Sequence, residues 1–99
     1  MKIQEEEIKI LREIYKQPKI SQRELAKNVN FSLGKLNYCI KALKQKGILK
    51  IKNFNKSKNK FSYIYMLTPK GLSYKTKITI NFLKIKMNEY EKIKKELSE

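Results

Sequence analysis

The apolar positions of the first seventeen residues recur at helical spacing. Ile3, Ile10 and Ile14 fall on one face, with Ile8, Leu11 and Tyr15 beside it, the broad stripe of an amphipathic helix over residues 3–16. Glu5, Glu6 and Glu7 suit its first turns, where carboxylates meet unpaired backbone N–H groups, and Pro18 ends it. Lys19-Ile20 reads as a very short strand or bridge against a later hairpin. Ser21-Gln22-Arg23-Glu24 then has capping-box spacing, and Leu25, Ala26 and Val29 supply the buried side of a two-turn helix. Residues 28–31 make a turn in which Asn28 or Asn30 takes a left-handed conformation at small cost. Phe31 is placed to close over a third helix, capped by Ser32 and running to Lys46. Gly47 stops that helix by supplying a positive φ. Leu36, Ile40 and Leu43, at i, i+4, i+7, predict its core face, with Leu33 and Cys39 at the edge.

From Ile48 the period falls to two. Leu49 and Ile51 alternate with Lys50 and Lys52; Phe61, Tyr63, Tyr65 and Leu67 alternate with Ser62, Ile64 and Met66. These are two strands, over 48–54 and 61–67. The segment between them, Asn55-Lys56-Ser57-Lys58-Asn59, has no apolar residue and predicts an exposed hairpin tip. Thr68-Pro69 marks a helix start, with threonine as N-cap and proline at N1. The helix that follows, from Lys70 to about Leu97, would be about 40 Å long. The fold expected is mainly α with a small β-hairpin: a winged helix-turn-helix over residues 1–70, and a long C-terminal dimerisation helix over 71–97.

Charge sharpens this order. The chain has 24 Lys and Arg against 9 Asp and Glu, a formal net charge of +15, which favours a polyanionic partner. The excess is nearly all lysine in a chain rich in Asn and Ile, a bias that genome composition alone can produce. Its distribution is more telling, because residues 18–60 hold twelve basic side chains against Glu24 alone. With no His, no Asp and a single Cys, neither a metal cluster nor a Ser-His-Asp or Cys-His site can be assembled. No enzyme activity, cofactor or metal is expected. No apolar run is long enough to span a membrane, and the lone Cys39 reads as a reduced core thiol, so a cytoplasmic protein is expected.

A helix in the major groove needs one apolar side to hold it and one polar side toward base edges. The third helix offers both. Ser32, Gly34, Lys35, Asn37, Tyr38 and Lys41 are the candidate base readers, Asn37 suiting adenine and Tyr38 a thymine methyl or a phosphate. Lys44 and Lys46, further along, suit phosphates. So do Ser21, Gln22 and Arg23 at the start of the second helix; a surface salt bridge from Arg23 to Glu24 or Glu13 is the alternative. In the wing, Lys52, Asn55, Lys56, Lys58 and Lys60 would lie over the minor groove or its flanking phosphates. The hairpin aromatics also suggest a stacking platform for single strands. Their face must cover the helices of a very small core, however, so packing is expected instead.

The last helix carries more apolar surface than residues 1–70 can cover. Ile78, Phe82, Ile85, Tyr90 and Ile93 are the candidate dimer contacts, with Leu83, Met87 and Leu97 near them. A two-fold pair that also packs on the N-terminal helix is expected, rather than a long regular coiled coil. The alternative is that residues 78–97 fold back on their own domain.

Ser21-Gln-Arg-Glu-Leu-Ala26, Ser32-Leu-Gly-Lys-Leu-Asn-Tyr-Cys39, Leu43-Lys-Gln-Lys-Gly-Ile48 and Leu67-Thr-Pro-Lys-Gly71 together resemble the winged-helix regulators of the MarR class, and most of all its small exopolysaccharide-associated branch. The resemblance covers nearly the whole chain. It implies a dimeric DNA-binding transcriptional regulator whose third helix reads the major groove. The chain departs from the larger pattern in its wing, where Asn and Lys stand in place of an acidic residue and an arginine. Its helical frame is also short, which leaves little room for a small-molecule effector. The reading is a sequence-specific double-stranded DNA binder acting as a homodimer on an inverted repeat, with repression by promoter occlusion the simplest mechanism. An architectural or DNA-segregation protein, or a winged-helix adaptor for proteins, is the alternative.

Overall fold

The computed structural model describes residues 2–53 and 63–99. Six elements follow in order: α1 (Lys2–Lys16), α2 (Gln22–Val29), α3 (Leu33–Gln45), β1 (Leu49–Asn53), β2 (Tyr63–Leu67) and α4 (Pro69–Ser98). The expected mainly helical architecture with a small hairpin is present. Phe61 and the tip residues 55–60 lie outside the described residues.

α1 is the central element and packs on α2, α4 and β2. Ile8, Ile10, Leu11 and Ile14 are all buried on it. Tyr15 is not; it is exposed, and the Lys75 ammonium sits 4.7 Å from its ring centroid. Of the acidic cluster, Glu5 stands in the first turn as read in the sequence, while Glu6 and Glu7 take tertiary partners. Glu6 pairs with Lys35, while Glu7, itself buried, takes the Lys46 ammonium at 3.1 Å and the Tyr74 hydroxyl at 2.5 Å. One carboxylate thus ties α1 to the end of α3 and to α4. Its charge is stabilised by two donors, the condition under which a buried carboxylate is tolerated.

α2 and α3 are capped alike. The Ser21 and Ser32 hydroxyl oxygens accept from the N–H groups of Glu24 and Lys35, each at 3.1 Å. Both helices end in the same six-to-one motif. Phe31 N–H reaches Ala26 O at 2.9 Å, Ile48 N–H reaches Leu43 O at 3.0 Å, and the left-handed residues are Asn30 (φ 61) and Gly47 (φ 76). Satisfying both ends locally makes an eight-residue α2 possible where propensity alone would not.

The two strands pair antiparallel with Leu49 opposite Leu67 and Ile51 opposite Tyr65. Leu49 and Tyr65 are buried, so at these positions the hairpin face is packed rather than free to stack bases; Phe61 and the Tyr63 side chain lie outside the described residues. Among the described residues Lys19-Ile20 forms no strand or bridge. The Tyr65 N–H donates instead to the carbonyl of Pro18, at 2.8 Å, and Ile20 is buried as a plug.

α4 begins at the expected cap. The Thr68 hydroxyl accepts from Gly71 N–H at 2.9 Å and donates to the Gly47 carbonyl. A Cβ on Gly71 would stand 2.1 Å from the Ile48 carbonyl oxygen, so only glycine lets this helix cross so near the start of β1. Thirty residues of helix span about 45 Å, and the molecule measures 64 × 26 × 20 Å. Gly71 and Ile78 are buried, Tyr74, Phe82 and Ile85 are half-buried, and every residue from Lys86 onward is exposed.

Candidate nucleic-acid interface

α3 is held by Leu36, Ile40 and Leu43, all buried. Each residue turns a helix by roughly 100°, which fixes what the rest of α3 presents. Gly34, Tyr38 and Lys41 lie opposite the buried line. Asn37 and Lys44 share one flank, and Lys35, Cys39 and Ala42 share the other. All of these except Cys39 and Ala42 are exposed, Tyr38 to 77%. An aromatic ring so open on a helix anchored along its other side gains nothing from the fold. Gly34 is similar: a Cβ there would meet nothing within 4 Å, so the protein itself sets no steric demand for glycine. The vacant volume admits close approach by a partner.

Lys35 is the exception among the expected base readers. Its ammonium pairs with Glu6 and lies 4.5 Å from the Phe31 ring centroid, which turns it toward α1. The helical rotation that puts Gly34, Tyr38 and Lys41 outward puts Lys35 on the flank facing the acidic residues of α1. Lys46 is drawn the same way by Glu7. Neither pairing was visible in the sequence, because both partners lie about thirty or more positions away. The groove between α1 and α3, of about 370 Å³, is lined by these pairs with Tyr38, Cys39 and Ala42. Burial, and next the charge of Glu6, pushes the Cys39 thiol above its ordinary pKa.

On α2, Gln22 is half-buried, while Ser21 and Arg23 are exposed. Arg23 makes no ion pair among the described residues. Glu13, one of the acids considered for it, instead accepts from the Asn28 side-chain amide at 3.0 Å and pairs with Lys16 at 3.8 Å. Lys41, Lys44, Lys50 and Lys52 are likewise exposed and unpaired among the described residues. Of the wing residues only Lys52 falls within the described part; Asn55, Lys56, Lys58 and Lys60 lie outside it. Among the described residues no group of His, Cys, Asp and Glu could hold a metal, and no helix is long and apolar enough to cross a membrane.

The stripe read as a dimer contact divides in two. Ile78 is only 1% exposed and belongs to the core of its own chain, and Phe82 packs against that core. Ile85 lies on the same line and is half-buried. Tyr90 is exposed and joins Ile80, Leu83, Met87 and Leu97 on a second apolar line, while Ile93, also exposed, continues the first. Ile80, Leu83, Met87, Tyr90, Lys94 and Leu97 step by 3, 4, 3, 4 and 3 residues, which is coiled-coil seam spacing. Ile78–Phe82–Ile85 has nearly the same period, but Ile78 and Phe82 lie against the core of their own chain. The packing of α4 on α1 and β2 covers the first of these lines.

A family of winged helix-turn-helix DNA-binding domains matches residues 7–50. No curated protein matches the chain by sequence comparison. Among solved structures, the PcaV transcriptional regulator of Streptomyces coelicolor superposes with a TM-score of 0.72 at 15% identity, covering 82% of this chain and 58% of that one. Staphylococcus aureus MarR, solved with salicylate and kanamycin, gives 0.65 at 22% identity, covering 84% and 54%. MepR, a transcription regulator of the S. aureus multidrug efflux pump MepA, gives 0.64 at 17% identity, covering 94% and 73%. The chain spans little more than half the length of the first two regulators. With its two capped helices, antiparallel hairpin and long terminal helix, the protein has the winged helix-turn-helix fold of the MarR-type regulators.

Proposed function

We propose that the protein is a homodimeric, sequence-specific binder of double-stranded DNA that represses transcription by occluding a promoter. The observation that carries this reading is the outward face of α3. Asn37, Tyr38 and Lys41 are exposed there on a helix fixed by three buried residues and capped at both ends. Asn offers a donor and an acceptor together, the pattern that suits adenine N6 and N7 in the major groove. Ser32 and Gly34 form its N-terminal approach. Arg23, Lys44 and Lys52, unpaired among the described residues, serve phosphate oxygens that set register without reading sequence. Lys35 and Lys46 are left out of this set.

One such module reads only a few base pairs. The exposed seam of α4 supplies the second copy, giving an inverted repeat with half-sites about one helical turn apart. The names of the structurally similar proteins support a regulatory role. Selection of binding sites from a random duplex pool tests the reading directly. Recovery of an inverted or near-inverted repeat is the expected result. Equal retention of all duplexes, with no common motif at about 150 mM salt, would reject specific regulation.

A further inference from the structure

A second cationic surface, on a different element from the outward face of α3, lies on α1. Lys9, Arg12 and Lys16 stand at i, i+3 and i+7 on one exposed side of that helix. With Glu13, Val29 and the two asparagines of the α2 turn they line a cleft of about 340 Å³. We propose that this cleft takes a backbone phosphate of the bound duplex, just outside the base pairs that α3 reads. The proposal rests on the DNA-binding reading and extends its footprint.

Three features support it. The one carboxylate in the cleft is already occupied, since Glu13 accepts from the Asn28 amide and pairs with Lys16. That leaves Lys9 and Arg12 without an ion pair among the described residues and the cleft net positive. The cleft is also preformed, because Ile10, Leu11 and Ile14, on the other side of the same turns, are buried. Arg12 therefore presents its planar fork from a rigid helix, the geometry that suits phosphate. Position is the third feature. Asn30 lines the cleft and Ser32 caps α3 two residues later, so its mouth lies within about 7 Å of chain from the end of α3 that approaches the bases. A strand leaving the read segment at that end has a cation to meet.

The test uses the full-length protein and its selected site in two labelled duplexes. One is trimmed to the motif; the other is extended by about one helical turn on each side. The double variant Lys9→Gln/Arg12→Gln is compared with Lys92→Gln/Lys95→Gln, which removes two exposed charges from the far end of α4. Melting curves check that both fold like the parent. On the extended duplex the α1 variant is expected to bind about 10- to 30-fold more weakly at about 150 mM salt, with the slope of log K against log salt shallower by about two. On the trimmed duplex it matches the parent, and the α4 variant matches the parent on both. Unchanged affinity of the α1 variant for the extended duplex overturns the proposal while leaving the α3 reading standing. An equal loss in the α4 variant overturns it too, since general charge would then be the cause. Capture of a second, unlinked duplex through Lys9 and Arg12 would place the phosphate on another molecule and overturn it as stated. Absence of binding by the parent itself would remove both readings.

Discussion

Asn37 and Tyr74 show how one side chain carries information that its neighbours do not. Asn37 is exposed on the flank of α3 opposite Lys35 and has no partner among the described residues, so its amide is available to a base edge. Replacing it with alanine is expected to cost about 1–3 kcal/mol against the selected site and much less against random duplex. Equal losses on the two kinds of DNA, measured by fluorescence anisotropy, would remove Asn37 from the base-reading set. Tyr74 is bound inward. Burial, then its hydrogen bond to Glu7 and that carboxylate's charge, push its hydroxyl up to about 12 from 10. A phenol whose folded pKa is raised favours the folded state while it stays protonated. That contribution is complete below about pH 10 and is lost as pH rises through about 12. Tyr74→Phe should therefore be less stable than the parent at neutral pH, with the gap closing between about pH 10 and 12 in denaturant titrations. A gap that stays constant over that window would show that the hydroxyl does not couple to folding.

At the scale of elements, the junction between the hairpin and α4 sets where everything beyond it points. Thr68 caps the helix and also hydrogen-bonds the Gly47 carbonyl, so the end of α3 and the start of α4 share a side chain. Gly71 permits the close crossing over the Ile48 carbonyl. Alanine there cannot be absorbed by a flexible neighbour, because the atom it meets is backbone. Gly71→Ala is expected to destabilise the fold by about 1–3 kcal/mol in urea unfolding, despite alanine's better helix propensity. A neutral or stabilising result would mean that α4 can shift freely on the hairpin. Its exit direction would then not be fixed by this contact.

For the molecule as a whole, the two apolar lines of α4 make separable demands. Leu83 is exposed on the seam, and Phe82 packs on the core of its own chain. Aspartate at Leu83 should leave the melting of the winged domain largely intact yet yield a monomer by sedimentation at micromolar concentration, since it places an unpaired charge in the seam. Aspartate at Phe82 should lower the melting temperature of the domain itself. A parent chain that sediments as a monomer both free and on DNA would exclude α4 as the dimer element. Loss of the dimer should also abolish tight binding to a two-half-site operator, because each monomer keeps only its own contacts.

Much of the fold was legible in the residues because the forces that set it are local. The Ser21, Ser32 and Thr68 caps, the left-handed Asn30 and Gly47, and the Leu36–Ile40–Leu43 line are each specified within a few positions of themselves. The outward residues of α3 followed from its buried ones by helical geometry. What the sequence alone left open were matters of long-range pairing. Lys35 and Lys46 looked like two more cations of the reading helix until α1 brought Glu6 and Glu7 against them. The buried end of α4 and its exposed seam have nearly the same apolar period, so no count of spacings could separate Ile78 and Phe82 from Ile80 and Leu83. Only the packing of α4 on α1 and β2 separates them, because it determines which side of the helix loses its water.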